Sequence, residues 1–330
     1  MPSRTEPTVV LVTSRSFSSG DLDLTAELEA AGCTVVTGPS DHDLDTLRPL
    51  LAEATAWVAG TGPVSGAHLD AGPGLRIVAR YGVGVEAIDL AAAAARGVMV
   101  TNTPGANSGA VADHAVALML AALRDVPAGD QGVRNGDWSV RRTRQLGELT
   151  VGIVGFGRIG RGVADRLRGF GSTLLGHDPY VSAEQFDAAE VAGVDLSELA
   201  ARSEVITLHL PGEQVVVDAS FLERVRPGLI LVNTARATLV DETAVADALR
   251  AGRLGCYATD VLGTEVTTTD DAPHPLLALD LRDRTVFTPH AAAQTVEAVD
   301  GMGRGAVDAV LAVLRGEQPA TLVPLPGRAR

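Results

Sequence analysis

Three glycines in the middle of the chain form the most informative chemical pattern. Gly155, Gly157 and Gly160 spell G-x-G-x-x-G, directly after an apolar run at residues 151–154 and at the start of a helical pattern. A second apolar run then leads to Asp178. Strand, glycine turn, helix, strand and acid together are the context that a dinucleotide-binding site requires. The pattern therefore predicts a dinucleotide site that starts only after about 150 residues of other protein.

Each glycine of this pattern has an expected role. Gly155 would make the tight turn, Gly157 would let a pyrophosphate approach the backbone, and Gly160 would let the helix pack on the strand. The two residues between the second and third glycines, Arg158 and Ile159, are expected to belong to the same site.

The acid after the second strand bears on the choice of dinucleotide. Asp178 is expected to accept hydrogen bonds from the adenosine ribose hydroxyls, and a carboxylate there repels a 2′-phosphate, so NAD is favoured over NADP. His177 and Arg158 are nearby cations that keep NADP open. The alternative for Asp178 is a simple turn residue before Pro179.

A second set of residues could carry out proton transfer and anion binding. Arg236 follows residues 231–235 at the C-terminal end of an apolar strand, Glu265 lies in the loop after Asp260, and His290 follows the last predicted strand. Such residues at strand ends could form an anion clamp, an orienting carboxylate and an acid/base. Spacing alone leaves open that they are a loop histidine and two surface charges.

Alternating strand and helix patterns must position these residues, and they predict an α/β fold with parallel sheets. Residues 1–102 with 290–330 are expected to form one discontinuous domain, and residues 103–289 to form an inserted second domain. The predicted strands are residues 9–13, 34–37, 56–59, 76–79, 98–101, 151–154, 172–176, 204–208, 229–233, 255–259 and 285–288. The predicted helices are residues 21–31, 43–53, 86–96, 107–124, 158–170, 195–202, 241–250 and 295–315, and residues 127–149 are predicted to be a polar connection.

Composition limits the function further. A formal net charge of −14 argues against a nucleic-acid partner. All 27 basic residues are arginine, which excludes Schiff-base chemistry and a lysine base. No apolar run is long enough for a membrane span or a signal peptide, so a cytoplasmic location is expected. Cys33 and Cys256 have no disulfide or metal-ligand spacing, and no metal site is expected.

Many ordered motifs make the chain resemble the D-isomer-specific 2-hydroxyacid dehydrogenase family, in its phosphoglycerate dehydrogenase-like short form without a regulatory domain. The resemblance implies a Rossmann NAD domain inserted into a flavodoxin-like substrate domain, and a homodimer. The matching segments are residues 80–89, 102–107, 112–114, 155–160, 177–180, 208–211, 233–236, 240–242, 260–265 and 288–290.

The resemblance also assigns roles to single residues. It implies that Arg236 binds the substrate, that His290 is the acid/base, and that Glu265 is the carboxylate paired with this histidine. Backbone N–H groups of Val83 and Gly84 would hold the substrate carboxylate. Further positions that it implies in substrate binding are Arg80 and Asn107, and in cofactor binding His209, Pro211, Thr234, Ala235, Asp260, His290 and Ala292.

The function that follows is NAD-dependent interconversion of a D-2-hydroxy acid and its 2-keto acid. Because Val83 stands where phosphite-oxidising members have a lysine, phosphite is not expected as the substrate, and Glu265 argues against formate. Arg80 and the arginines of residues 141–144 could bind a phosphate or phosphonate on the substrate, or could belong to a solvated face. The alternatives are a glyoxylate/hydroxypyruvate reductase and an NAD(H)-sensing, corepressor-like binding protein.

Overall fold

The structure, a computed structural model, describes residues 8–212, 214–263 and 274–326. It divides into two compact units, residues 1–107 with 293–330 and residues 108–292. The sequence-based domain boundaries, at 102/103 and 289/290, lie a few residues before the ends of these units.

The helices and strands follow in chain order. The first part contains β1 (Thr8–Val12), α1 (Leu24–Ala30), β2 (Cys33–Thr37), α2 (Leu44–Glu53), β3 (Ala54–Ala59), α3 (Gly66–Ala71), β4 (Ile77–Arg80), α4 (Leu90–Arg96) and β5 (Met99–Thr101). The second contains α5 (Ser108–Leu123), α6 (Val126–Arg134), β6 (Thr150–Val154), α7 (Arg158–Arg168), β7 (Thr173–His177), α8 (Ala183–Ala188), β8 (Ala192–Gly193), α9 (Leu196–Arg202), β9 (Val205–Leu208), α10 (Ala219–Arg224), β10 (Leu229–Asn233), α11 (Glu242–Arg250), β11 (Leu254–Thr259) and β12 (Thr285–Phe287). The last helix is α12 (Val296–Leu314).

The first unit is built on a five-stranded parallel sheet in the order β2-β1-β3-β4-β5. This is the flavodoxin-like strand order. The central strands are buried on both faces, and Leu11, Trp57 and Val78 belong to the core on one side of the sheet. Such strands appear in a sequence as short continuous apolar runs, as they do here.

Helix α12 returns to the first unit from the far end of the sequence. The guanidinium of Arg76 donates to the carbonyl of Val313 at 2.6 Å, and the hydroxyl of Tyr81 donates to the carbonyl of Val299 at 3.0 Å. Burial of its apolar face against β3, β4 and α1 explains why a helix with no following strand is stable here. The first unit is therefore made of two separate chain segments.

A buried polar cluster lies inside the first unit. The side chain of His42 contacts the hydroxyl of Thr13 at 2.7 Å, and the indole N–H of Trp57 donates to the same hydroxyl at 2.9 Å. Nε2 of His68 lies 2.8 Å from the carbonyl of His42. Burial lowers the pKa of His42 to about 4, so this imidazole is neutral in the folded protein.

The second unit has a seven-stranded parallel sheet in the order β12-β11-β10-β9-β6-β7-β8. Counted within the unit, the order 3-2-1-4-5-6 of a Rossmann fold is continued by one further strand. The predicted fold class, a Rossmann unit inserted into a flavodoxin-like one, is confirmed. The order reverses between β6 and β9, and ligands of such sheets bind at the carboxyl ends of the strands at that reversal.

Several local predictions were wrong in detail. Helix α3 was not predicted, and α6 lies where only a polar connection was expected, with Pro127 in its first turn. Helix α1 begins at Leu24 and α4 at Leu90, later than predicted. The reason is that Asp23 and Asp89 cap these helices, each accepting a hydrogen bond from the backbone N–H three residues on.

Two negative findings concern only the described ranges. None of the helices there has both the length and the apolar character needed to span a bilayer. Cys33 and Cys256 are both buried and unbridged, and burial raises the pKa of the Cys256 thiol to about 12.

Candidate active site

The glycine turn joins β6 to α7. Gly155 has a φ of +90°, and a Cβ there would lie 2.6 Å from the carbonyl oxygen of His209. A Cβ on Gly160 would overlap the carbonyl oxygen of Gly155, so helix and strand can approach this closely only with glycine. A Cβ on Gly157, in contrast, would meet nothing within 4 Å. The turn therefore leaves open space in front of the N-terminus of α7, whose first residues are Arg158 and Ile159.

Asp178 follows β7 and binds the glycine turn directly. Its Oδ2 accepts the backbone N–H of Phe156 at 2.8 Å, and its Oδ1 accepts the N–H of Tyr180 at 3.0 Å. The carboxylate thus acts as a turn residue and is fixed beside the glycine turn, while its predicted hydrogen bonds to the adenosine ribose stay a prediction. Of the nearby cations, Arg158 is exposed, and the Nδ1 of His177 lies 3.0 Å from the carbonyl of Val194.

Two polar atoms at this edge of the sheet are buried without a protein partner among the described residues, Nδ1 of His209 and Oγ1 of Thr234. His209 follows β9, ahead of Pro211, and burial lowers the pKa of His209 to about 3, so its ring is neutral. Buried polar atoms normally have partners, so these two are available to a bound ligand. Together with the open space at Gly157, they fit a dinucleotide lying along the carboxyl ends of the strands.

The turn after β10 presents Arg236. The amide of the fully buried Asn233 shapes this turn, because its Nδ2 donates to the carbonyl of Arg236 at 2.9 Å and its Oδ1 accepts the N–H of Ala235 at 3.0 Å. The half-buried guanidinium of Arg236 donates to the carbonyl of Ala235 at 2.8 Å. A Cβ on Gly212 would lie 2.6 Å from Cγ of Arg236, so Gly212 leaves the room that this side chain occupies.

The turn after β12 is held by Asp260, which is 2% exposed. Its carboxylate accepts the hydroxyl of Thr288 at 2.5 Å and the backbone N–H groups of Ala291 and Ala292, each at 2.9 Å. Burial opposes ionisation of Asp260, but these hydrogen bonds and the nearby His114, whose Nε2 lies 3.4 Å from Oδ1, outweigh it and lower the pKa of the carboxyl group. The role of Asp260 in cofactor binding, which the family resemblance implies, stays a prediction.

His290 stands in this turn with a strained backbone. Its φ is +51°, a left-handed conformation that is uncommon for residues other than glycine. Its N–H donates to the carbonyls of Asp260 and Thr288, each at 3.0 Å, and its side chain is exposed. Strain of this kind persists where the surroundings enforce it, and it is common at functional sites. Glu265, expected to pair with His290, lies outside the described residues.

The loop of the first unit at residues 81–85 is fixed from both sides. The guanidinium of Arg80 donates to the carbonyls of Gly84, at 2.9 Å, and of Tyr81, and Asn102 donates to the carbonyl of Val83 at 2.8 Å. Within the described part of the chain, the backbone N–H groups of Val83 and Gly84 have no protein acceptor. The loop is therefore held by side-chain hydrogen bonds and presents two donors of the kind that bind carboxylates.

Other predicted substrate contacts have different surroundings. Oδ1 of Asn107 is buried without a partner among the described residues. The arginines of residues 141–144 line a shallow depression with Gly255 and Cys256, at the amino end of β11. That end is opposite to the one where Arg236 and His290 lie. Arg141 is paired with Asp125 at 3.2 Å.

Sequence reasoning missed residues that hold the turns of the site in place. Asn233, Thr288 and His114 lay inside recognised motifs but were given no role, and Gly212 was not singled out. The available signal was a polar residue ending an apolar run, as at Asn233, since a buried amide needs partners. In the described ranges, no group of three or more His, Cys, Asp or Glu side chains could hold a metal ion.

This sheet, glycine turn and set of strand-end residues define a dinucleotide-binding protein of the Rossmann class. The sequence model of the "D-isomer specific 2-hydroxyacid dehydrogenase, NAD binding domain" matches residues 116–292. The chain belongs to the D-isomer specific 2-hydroxyacid dehydrogenase family, and its second unit is the NAD-binding domain of that family.

Known proteins of this family are similar over most of the chain. D-3-phosphoglycerate dehydrogenase of Mycobacterium tuberculosis is 40% identical over 289 residues, which are 86% of this chain and 53% of that protein. The enzyme of the same name from Archaeoglobus fulgidus is 36% identical over 297 residues, 88% of this chain and 55% of that protein. The chain thus spans about half the length of these curated relatives.

Solved structures agree in fold over nearly the whole chain. A protein from Thermus thermophilus superposes with a TM-score of 0.85 at 32% identity, covering 96% of this chain and all of that one. A D-lactate dehydrogenase from Treponema pallidum superposes with a TM-score of 0.80 at 25% identity, also covering 96% of this chain and all of that one.

Proposed function

We propose that this chain is an NAD-dependent oxidoreductase that interconverts a D-2-hydroxy acid and its 2-keto acid. The observation that carries the proposal is the placement of Arg236 and His290 after β10 and β12. These strands end at the same sheet edge as the glycine turn, and buried partners fix both turns that follow them. An arginine and a histidine at this edge suit a substrate that combines a carboxylate with a reacting carbonyl oxygen.

In the reducing direction, His290 would donate a proton to the 2-keto oxygen, and in the oxidising direction its neutral ring would accept the proton of the 2-hydroxyl. Arg236 would bind the carboxylate and the keto oxygen, a charged contact of about 1.5–3 kcal/mol. By family resemblance, the backbone N–H groups of Val83 and Gly84 would hold the substrate carboxylate. When bound, NADH would supply the hydride that reduces the carbonyl carbon. By family resemblance, Glu265 would stabilise the protonated form of His290.

A substrate with a phosphate or phosphonate group is the leading proposal for specificity. It is supported by the D-3-phosphoglycerate dehydrogenases among the relatives. A glyoxylate/hydroxypyruvate reductase is the second candidate, and the surroundings of Arg80 favour it. The guanidinium of Arg80 already serves backbone carbonyls, and the arginines of residues 141–144 lie at the other end of the sheet within their unit.

Partners and location stay sequence-based predictions. A homodimer, a cytoplasmic location, and the corepressor-like NAD(H)-binding alternative follow from the resemblance or from composition. The last alternative predicts NADH binding without turnover of any acid.

A panel assay tests the proposal. The loss of NADH absorbance is followed with glyoxylate, hydroxypyruvate, phosphohydroxypyruvate and phosphonopyruvate. A phosphate- or phosphonate-bearing acid should give the highest kcat/KM. Faster turnover of glyoxylate or hydroxypyruvate would support the second candidate instead.

His290→Ala should lower turnover by about 10²–10⁴-fold while NADH still binds, because a positioned general acid contributes that much. Turnover within about tenfold of the wild type would show that His290 is not the acid.

A further inference from the structure

His114 lies on α5 and makes polar contacts at the base of the turn that carries His290. Its side chain is 23% exposed, and its Nε2 lies 2.9 Å from Oγ1 of Thr288 and 3.4 Å from Oδ1 of Asp260. Helix α5 packs across β10, β11 and β12, the three strands whose ends carry Arg236, Asp260 and His290. A histidine in this position extends from a long helix to the catalytic end of the sheet.

The hydrogen bonds of this cluster have one consistent direction. Thr288 has a single hydroxyl proton. At 2.5 Å from a carboxylate oxygen, the hydroxyl donates this proton in a hydrogen bond to Oδ1 of Asp260. The Nε2–H of His114 must then donate to the hydroxyl oxygen of Thr288. The chain of donors runs from His114 through Thr288 to Asp260, and the same carboxylate accepts the N–H groups of Ala291 and Ala292.

We propose that His114 is a positioning residue for the reaction, holding the turn of His290 in place through Thr288 and Asp260. The inference rests on the proposed function. The left-handed φ of +51° at His290 needs surroundings that enforce it. Asp260 accepts the hydroxyl of Thr288, before His290, and the backbone N–H groups of Ala291 and Ala292, after it. His114 joins this cluster to helix α5.

Variants of His114 separate positioning from packing. His114→Phe keeps a flat ring and removes the Nε2–H, whereas His114→Gln keeps a side-chain N–H donor. Thr288→Val removes the next hydroxyl in the chain at nearly constant volume. Thr285→Val is the matched control, since Thr285 lies on β12, three residues before Thr288, and its hydroxyl donates to the carbonyl of Leu281 at 3.1 Å. The full-length chain is used throughout.

The expected result is a loss in kcat that the conservative variant restores. His114→Phe should lower kcat for the best 2-keto acid by about tenfold or more, because small misplacements of a catalytic group are costly. Neither KM nor the Kd of NADH should change by more than about threefold, and His114→Gln should recover most of kcat. The double variant His114→Phe/Thr288→Val should have the same kcat as Thr288→Val alone, because both residues act through one series of hydrogen bonds. Thr285→Val should behave as the wild type.

Two results would overturn the inference. One is a kcat of folded His114→Phe within about twofold of the wild type. The other is an equal loss in His114→Phe and His114→Gln when both melt as the wild type does.

Hydrogen exchange tests the same point without activity. The amide protons of Ala291 and Ala292 should exchange faster in His114→Phe than in the wild type. If the wild type reduces none of the 2-keto acids, the proposed function fails, and this exchange measurement decides the positioning role on its own. Unchanged exchange at both amides would refute it.

Discussion

Replacing Gly157 by alanine tests whether the glycine turn receives the dinucleotide. The residue has φ −75° and ψ −154°, a conformation that alanine adopts, and the new methyl group would meet nothing within 4 Å of protein. The substitution therefore adds an atom only where a ligand would approach the backbone.

The expected magnitudes follow from this geometry. Gly157 is the N-cap of α7, and alanine is a poorer cap than glycine by under ~1 kcal/mol, so Tm should fall by only about 2–4 °C. A pyrophosphate pushed away from the turn would lose at least one hydrogen bond to a charged group, worth about 1.5–3 kcal/mol. The Kd of NADH should accordingly rise about 10- to 150-fold.

The assay compares three glycine variants by NADH titration and thermal melting. Gly129→Ala is the matched control, because it also adds a methyl group to open space in a helix of the same unit. It should bind NADH as the wild type does and should be slightly more stable. Gly160→Ala, in contrast to the other two variants, places its methyl group against protein. The methyl group would overlap the backbone of Gly155, so the variant should lose about 1–3 kcal/mol of stability.

NADH binding by Gly157→Ala that equals binding by Gly129→Ala would refute the reasoning, because the pyrophosphate would then not lie against this turn. A fall in Tm as large as that of Gly160→Ala would assign the loss to folding instead.

Three further predictions concern specificity, the substrate clamp and pH. Asp178→Asn should lower the preference for NADH over NADPH by about tenfold, and an unchanged ratio of the two Kd values would contradict the role of its charge. Gly212→Ala should push Arg236 aside and raise KM for the keto acid about tenfold with NADH binding unchanged. A KM equal to that of the wild type would show that Arg236 does not need this space. Because burial lowers the pKa of His42 from 6.5 to about 4, unfolding takes up a proton between these pH values. The free energy of unfolding should therefore fall as pH drops from 6.5 to 4, by up to about 3 kcal/mol, in urea titrations. His42→Gln should flatten this dependence, and an equal slope in both proteins would exclude His42 as its source.

All strands except β8 could be predicted, because strands buried on both faces appear as unbroken apolar runs between helical patterns, whereas the two residues of β8 are exposed. The glycine turn could also be located, because only glycine fits at positions 155 and 160 and both glycines are visible in the sequence. Helix starts were less predictable. Asp23 and Asp89 determine where two helices begin, and either aspartate could equally have been an ordinary polar residue of a longer helix.

The supporting contacts of the site could not be predicted, because they join residues far apart in the chain. The contact of His114 with Thr288 joins residues 174 positions apart, and no local sequence pattern predicts it. Arg80 is a second example. A cation in a motif suggested an anion partner, but the sequence did not show that its guanidinium also binds the carbonyls of its own loop. Buried polar groups find such partners through folding, which single residues in a sequence do not display.

The left-handed backbone at His290 has a consequence for laboratory evolution of this chain. Glycine adopts a φ of +51° freely, so His290→Gly should relieve about 1 kcal/mol or more of strain while removing the side chain. A library screened for heat resistance alone should accumulate glycine or asparagine at this position, and one screened for turnover should keep histidine. The residue recovered at position 290 would then show which of the two selections had acted.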